Sequence, residues 1–244
     1  VVINWIEFDL SSLHQVIEQG SSGYFDIVCV HPYAMLERVM KGREEAFLGM
    51  KSQFRKMLHL TRQRESIPLW VSEIGYQAIE GQGETELKQA EALVKAYVLC
   101  AVQGIEKVFW FEGRGPNYGP EGSFGVIRQD WTKRPSFFAL QTLVQLLGNQ
   151  PQYIGWLPIS PKSRGFRGLK GTVLVNWASV EGEKVKLPAS VRVFDLMGKQ
   201  IDTGREREIS VPKKPIFLTN LPQPWVAKAV GNKKRIFGWL GDYS

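Results

Sequence analysis

Two hydrophobic patterns alternate along the first 150 positions: short continuous apolar runs such as YFDIVCV and PLWVSEI, and longer stretches whose apolar residues recur at helical spacing. Continuous runs mark strands covered on both faces, and helical stretches between them are the crossovers of parallel β-α units. The pattern predicts strands over residues 1–3, 24–30, 68–74 and 107–111. It predicts helices over 10–19, ended by Gly20, and over 44–64, 86–103 and 135–147. In the second of these Phe47, Met50, Phe54, Met57 and Leu58 share a face, with Lys51, Arg55 and Lys56 off it. Thr85 is the expected N-cap of the third and Gly104 its end; Pro135 opens the fourth and Gly148 follows it. Four β-α units amount to half of a (β/α)8 barrel.

Beyond Gly148 the period changes. GTVLVNW, KVKLP, VRVFDLMG, EREISV and PIFLTN are short, alternating, rich in Val and Ile, and separated by Gly, Pro and polar turns. That spacing reads as a small antiparallel β-sandwich. The expected organisation is therefore α/β: a half-barrel over residues 1–150, a sandwich over 151–222 and a C-terminal tail over 223–244.

Composition narrows the function classes. With 244 residues, 43% hydrophobic and 23% charged, the chain suits a globular protein with a sizeable core rather than a disordered one. No apolar stretch approaches the roughly 18 residues of a membrane span, and VVINWIEFDL has neither a basic n-region nor a cleavage site. Cys29 and Cys100, each inside an apolar pattern, read as buried thiols rather than a disulfide framework. Residues 1–150 carry 15 Lys/Arg against 17 Asp/Glu, and residues 151–244 carry 16 against 7, so the net charge of +7 resides in the second part. Those basic residues are scattered through strand patterns without a reading helix or an RNA-type aromatic motif. They read as a solvated surface, and no nucleic-acid partner is expected.

In parallel β-α barrels the active site forms at the C-terminal ends of the strands. Here the second strand closes in His31-Pro32-Tyr33, the third in Ser72-Glu73-Ile74-Gly75-Tyr76, and the fourth in Trp110-Phe111-Glu112, followed by Gly113-Arg114-Gly115. Carboxylates for acid, base or nucleophile work, beside aromatic rings that stack on pyranose C–H groups, are what a sugar site needs.

On these residues the chain resembles clan A glycoside hydrolases. YFDIVCVHPY is similar to their sixth-strand signature, LWVSEIGY to the seventh strand that ends in the nucleophile, and KVFWFEGRGP to the eighth; FGVIRQDWTKRPSFFALQTLVQLLG resembles the closing helix. The nearest resemblance is to the β-xylosidase and α-L-iduronidase family and related bacterial enzymes, whose sandwich strands VRVFDLMG and KPIFLTN also match. The resemblance spans about residues 20–220. It implies the second half of the barrel, a retaining glycosidase with Glu73 as nucleophile, and His31, Tyr33, Trp110, Glu112, Arg114 and Tyr76 as substrate-binding residues, with Trp131 a weaker candidate. It implies no cofactor or metal, an oligo- or polysaccharide substrate, and a secreted or periplasmic rather than cytoplasmic location.

The second carboxyl group of a retaining enzyme follows an Asn in this clan, and no Asn-Glu pair occurs in the chain. The acid/base and the first four strands are thus expected upstream, with the N-terminal barrel half as a partner covering the open sheet edges. Glu7 lies near the end of the first strand, but its context, WIEFDL, does not match. Two readings compete: a non-catalytic carbohydrate-binding protein with a degenerate glycosidase barrel, and a barrel enzyme of unrelated chemistry. Three His, of which only His31 ends a strand, argue against a metal site.

Overall fold

The computed structural model describes residues 2–3, 10–119, 122–159, 163–169, 171–178 and 183–234. Glu7 lies outside them. The chain is a mixed α/β structure. Strands β1 (Val2–Ile3), β2 (Val28–Val30), β3 (Leu69–Ile74) and β4 (Val108–Trp110) form one parallel sheet in the order β1-β2-β3-β4. The crossovers are α1 (Ser11–Val16) with a wider turn over Ile17–Ser21, then α2 (Tyr33–Met40), α3 (Glu45–Leu48), α4 (Met50–Leu60) and α5 (Gly83–Val102); α6 (Pro135–Leu147) follows β4. The apolar runs are strands because their side chains are covered: Val28, Val30, Leu69, Val71 and Ile74 are all buried against helices such as α5, whose Leu93, Ala96 and Leu99 are fully buried.

Several elements of this part differ from the sequence expectation, and the strand expected over 24–30 is confined to Val28–Val30, with Tyr24 exposed. The helix over 44–64 is split at Gly49 into α3 and α4, at the residue of lowest helix propensity in the stretch. It ends at Leu60, where the Thr61 hydroxyl donates to the Met57 carbonyl at 2.9 Å and Arg62 turns to φ 55°. Thr85 is not a cap: α5 begins at Gly83, and the Thr85 hydroxyl accepts from Ile79 N–H at 3.0 Å, tying down the preceding turn. Helix α2, unforeseen, starts straight after Pro32, a residue that reads as a turn in sequence yet occupies the N-cap position here.

The second part is antiparallel. It comprises β5 (Gln152–Gly155), β6 (Arg164–Gly168), β7 (Gly171–Asn176), β8 (Glu183–Lys186), β9 (Arg192–Phe194), β10 (Glu208–Val211) and β11 (Ile216–Thr219). Five of these form a sheet in the order β5-β6-β7-β11-β9, and β8 pairs with β10. The two-residue period of a strand divides its core. Val173, Val175 and Phe217 join the cluster shared with the helices, while the intervening Leu174, Ile216 and Leu218 join a second cluster with Val185, Ile209 and Val211 of the β8–β10 pair. β5 and β6 escape sequence detection because Gly155, Gly165 and Gly168 interrupt their alternation. Within the stretch read as a tail, α7 (Gln223–Asn232) lies against β5, and any side chain at Gly155 would strike the Ala229 carbonyl.

A buried polar joint ties the two parts together. Glu44 accepts from Arg164 Nη2 at 2.9 Å and from Trp177 Nε1 at 2.8 Å, and the Arg164 guanidinium lies 4.5 Å from the Trp177 ring centroid.

Candidate functional site

Parallel strands deliver their C-terminal residues to one end of the sheet, and β2, β3 and β4 bring His31, Glu73 and Glu112 there. Glu73 is one-third exposed and His31 mostly buried; His31 Nδ1 lies 3.0 Å from Glu73 Oε2, off the line of an ideal hydrogen bond. The other ring nitrogen, Nε2, lies 3.0 Å from Ser72 Oγ, so the imidazole is wedged between two consecutive residues of β3. Tyr33, at the start of α2, is half-buried. Burial above all, then the charges of Glu73 and Glu112 and the neighbouring Tyr118, push its phenol well above the ordinary range for tyrosine. It therefore stays neutral and can donate a hydrogen bond across the working pH range.

Glu112 follows β4. Its carboxylate lies over the backbone of Gly115, in the space a Cβ there would take, and Tyr118 donates to its Oε1 at 3.0 Å. Four rings frame this end of the sheet: Phe124 meets Tyr33 at 5.8 Å, Phe111 at 5.4 Å and Tyr118 at 5.6 Å, each edge-to-face. Gly75 allows the closest approach: a Cβ there would collide with the Phe111 carbonyl and the Phe124 ring. The Phe111–Glu112 peptide is cis.

The loop that carries Phe124 is held from behind. Gln89 Nε2 donates to the carbonyls of Tyr76, Ser123 and Phe124, and Arg134 Nη1 donates to those of Ser123 and Gly125 at 3.0 Å. Arg134 is fully buried, with Glu86 and Glu80 each 3.5 Å away, while Arg128 forms a two-pronged bond to Glu86 at 2.8 and 2.6 Å. The basic residue before the helix-opening proline is thus a scaffold for the site.

Of the residues singled out in sequence, His31, Tyr33, Glu73 and Glu112 converge. Trp110 ends β4 opposite Ile74, half-buried, and its indole N–H has no hydrogen-bond partner among the described residues. Arg114 turns aside: it donates to the Gln129 carbonyl at 2.8 Å and stacks on the exposed Trp131 ring at 4.1 Å. Tyr76 also leaves the group, because the chain turns away after Gly75, and it lines a different cleft with Glu37, Lys88 and Trp177. Tyr118 and Phe124 were missed; they sit in a Gly-rich loop without periodicity, and no local signal distinguishes them.

No protein-family model matches the chain, and no curated protein sequence matches it. Solved structures do. A family 39 glycoside hydrolase from the gut symbiont Bacteroides cellulosilyticus WH2 superposes with a TM-score of 0.67 at 20% identity, over 85% of this chain and 46% of that one. A monomeric β-xylosidase from Caulobacter crescentus CB15 gives 0.53 at 11% identity, over 88% and 59%. A GH30 endoxylanase from Clostridium papyrosolvens C71 gives 0.52 at 12%, over 89% and 55%. The chain has the clan A glycoside hydrolase fold over about 85% of its length, and it spans about half the length of the structures it matches.

Proposed function

We propose that this chain is the second half of the catalytic barrel of a retaining glycoside hydrolase, and that Glu73 is its nucleophile. The observation that carries the reading is the group at the strand ends: a partly exposed Glu73 beside His31, with the neutral phenol of Tyr33 feeling both Glu73 and Glu112. Residues 1–150 are the barrel half, 151–222 a sandwich and 223–244 a C-terminal extension. The outer side of β4 supports a shared barrel. A groove of about 430 Å³ runs there between Trp70, Tyr97, Leu140 and Val144, and Phe109 is 51% exposed; an N-terminal half would cover this apolar surface.

In the double displacement, a Glu73 carboxylate oxygen bonds to the anomeric carbon as the glycosidic C–O bond breaks, and the leaving oxygen takes a proton from a carboxyl group of the other half. Water then attacks the same carbon, gives its proton back to that carboxylate, and frees Glu73. Tyr33 and His31 hold the Glu73 carboxylate in line, and Trp110 is the platform under the sugar at the point of cleavage. The substrate is an oligo- or polysaccharide, no cofactor is required, and the enzyme works outside the cytoplasm. No helix among the described residues is long and apolar enough to cross a membrane.

The test is covalent trapping in the complete protein. A 2-fluoro glycoside that forms the intermediate quickly and releases it slowly should add its sugar to the peptide containing Glu73. Glu73→Gln should keep sugar binding while turnover falls by about three or more orders of magnitude. A label on another carboxylate, or near-normal turnover of the variant, overturns the assignment. Binding without any turnover in the wild-type protein would instead make this a carbohydrate-binding protein.

A further inference from the structure

A second cleft, of about 740 Å³, opens where the antiparallel part meets α2 and α5. Helical spacing builds two of its walls. Lys88, Glu91 and Lys95 recur at i, i+3 and i+7 on α5, and Glu37 and Met40 at i and i+3 on α2, with Lys41 directly after its end. The third wall is the turn after β10, with Lys213 and Lys214. Neither Glu73 nor His31 lines it.

The floor is already neutralised: the Lys95 ammonium lies 2.5 Å from Glu91 and 5.7 Å from the centroid of the buried Trp177 ring. The rim is not. Lys88 pairs with Glu84 at 2.8 Å, but Lys41, Lys213 and Lys214 form no ion pair among the described residues. Three exposed lysines from two separate elements therefore line one cavity, and although Lys214 is within electrostatic reach of Glu84, their summed charge concentrates anions there. The rim also holds Glu37 and the half-buried Tyr76. Sugar hydroxyls donate to a carboxylate such as Glu37, whereas a phosphodiester backbone offers it no donor, and a tyrosine face suits a pyranose ring. We propose that this cleft binds an anionic saccharide, its carboxylate or sulfate groups held by Lys41, Lys213 and Lys214 and its hydroxyls by Glu37 and Tyr76. The choice of a saccharide rests on the glycosidase reading; the choice of an anion rests on the lysines alone.

The experiment is calorimetric titration of the complete protein with a hexagalacturonate, a heparin hexasaccharide, neutral xylohexaose, and a thymidine hexanucleotide. At least one of the two charged saccharides should bind, with affinity falling as salt rises from about 50 to 300 mM, and xylohexaose should not compete for it. The triple variant Lys41→Glu/Lys213→Glu/Lys214→Glu changes only exposed side chains, so its melting temperature should hold while binding weakens about tenfold or more. Glu73→Gln should leave this binding unchanged. The inference is overturned if neither charged saccharide binds at millimolar concentration, if the triple variant binds them normally, if Glu73→Gln abolishes binding, or if the hexanucleotide binds as well. Trapping at Glu73 with normal binding by the triple variant sinks this inference alone; lysine-dependent binding without trapping sinks the nucleophile assignment alone.

Discussion

Glu44 gives the sharpest test of how the two parts hold together. It is 2% exposed and serves two buried donors, Arg164 and Trp177, from opposite carboxylate oxygens. In Glu44→Ala the Arg164 cation, itself 2% exposed, loses the Glu44 carboxylate at 2.9 Å and the Trp177 indole N–H loses the Glu44 oxygen at 2.8 Å. Removing one partner of a buried pair costs about 3–5 kcal/mol, and the lost indole hydrogen bond adds about 1 kcal/mol. In a chain of this size each kcal/mol moves the melting temperature by about 2–4 °C, so the variant should melt roughly 8–24 °C lower. Neighbouring Glu45 is exposed and forms no ion pair among the described residues, and Glu45→Ala should stay within about 0.5 kcal/mol of wild type. The decisive arm is Glu44→Leu with Arg164→Met, which removes both charges together and should recover most of the loss, because desolvating the pair offsets much of its attraction. Urea and thermal melts followed by circular dichroism read all three. A cost below about 1 kcal/mol for Glu44→Ala, or a double variant no better than the single one, would refute the reasoning.

Gly75→Ala would drive a methyl group into the Phe111 carbonyl and the Phe124 ring, so it should cost about 1–3 kcal/mol and lower activity more than substrate affinity; a variant as stable and active as wild type would show that the β3 and β4 ends need not approach so closely. Burial pushes the phenols of Tyr97 and Tyr153 up to about 12, whereas unfolded tyrosine ionises near 10. Stability should therefore be unaffected by these groups below about pH 10 and fall as pH rises from 10 to 12, because only the unfolded chain gains from losing those protons; the slope is at most about 1.4 kcal/mol per pH unit for each. Urea midpoints across that range should fall less in Tyr153→Phe than in wild type, and an identical slope would exclude the Tyr153 contribution. Tyr118→Phe removes the bond to Glu112 from an exposed ring, so it should leave the melting temperature unchanged and raise KM; an unchanged KM would remove Glu112 and Tyr118 from substrate contact.

The local patterns determined a good deal. Continuous apolar runs located β2, β3 and β4, the first two because their apolar residues are buried under the helices and β4 although its Phe109 is exposed, and Pro135 with Gly148 bounded α6 at both ends, because one lacks an N–H and the other takes φ 77°. The order of strand-end residues likewise pointed to His31, Tyr33, Glu73 and Glu112, since parallel strands send their C-termini to one side. Other features were decided only by tertiary structure. β5 and β6 are strands because the sheet, α6 and α7 close over their glycines, which carry no apolar signal of their own. Tyr76 is three residues from Glu73 yet faces another cleft, because the tight passage at Gly75 redirects the chain. Glu44 and Arg164 stand 120 positions apart, and nothing local to either marks it as buried; their pairing exists only once the antiparallel sheet packs against α3. Sequence periodicity records which face of an element is dry, whereas close approach between elements depends on distances that no local pattern encodes.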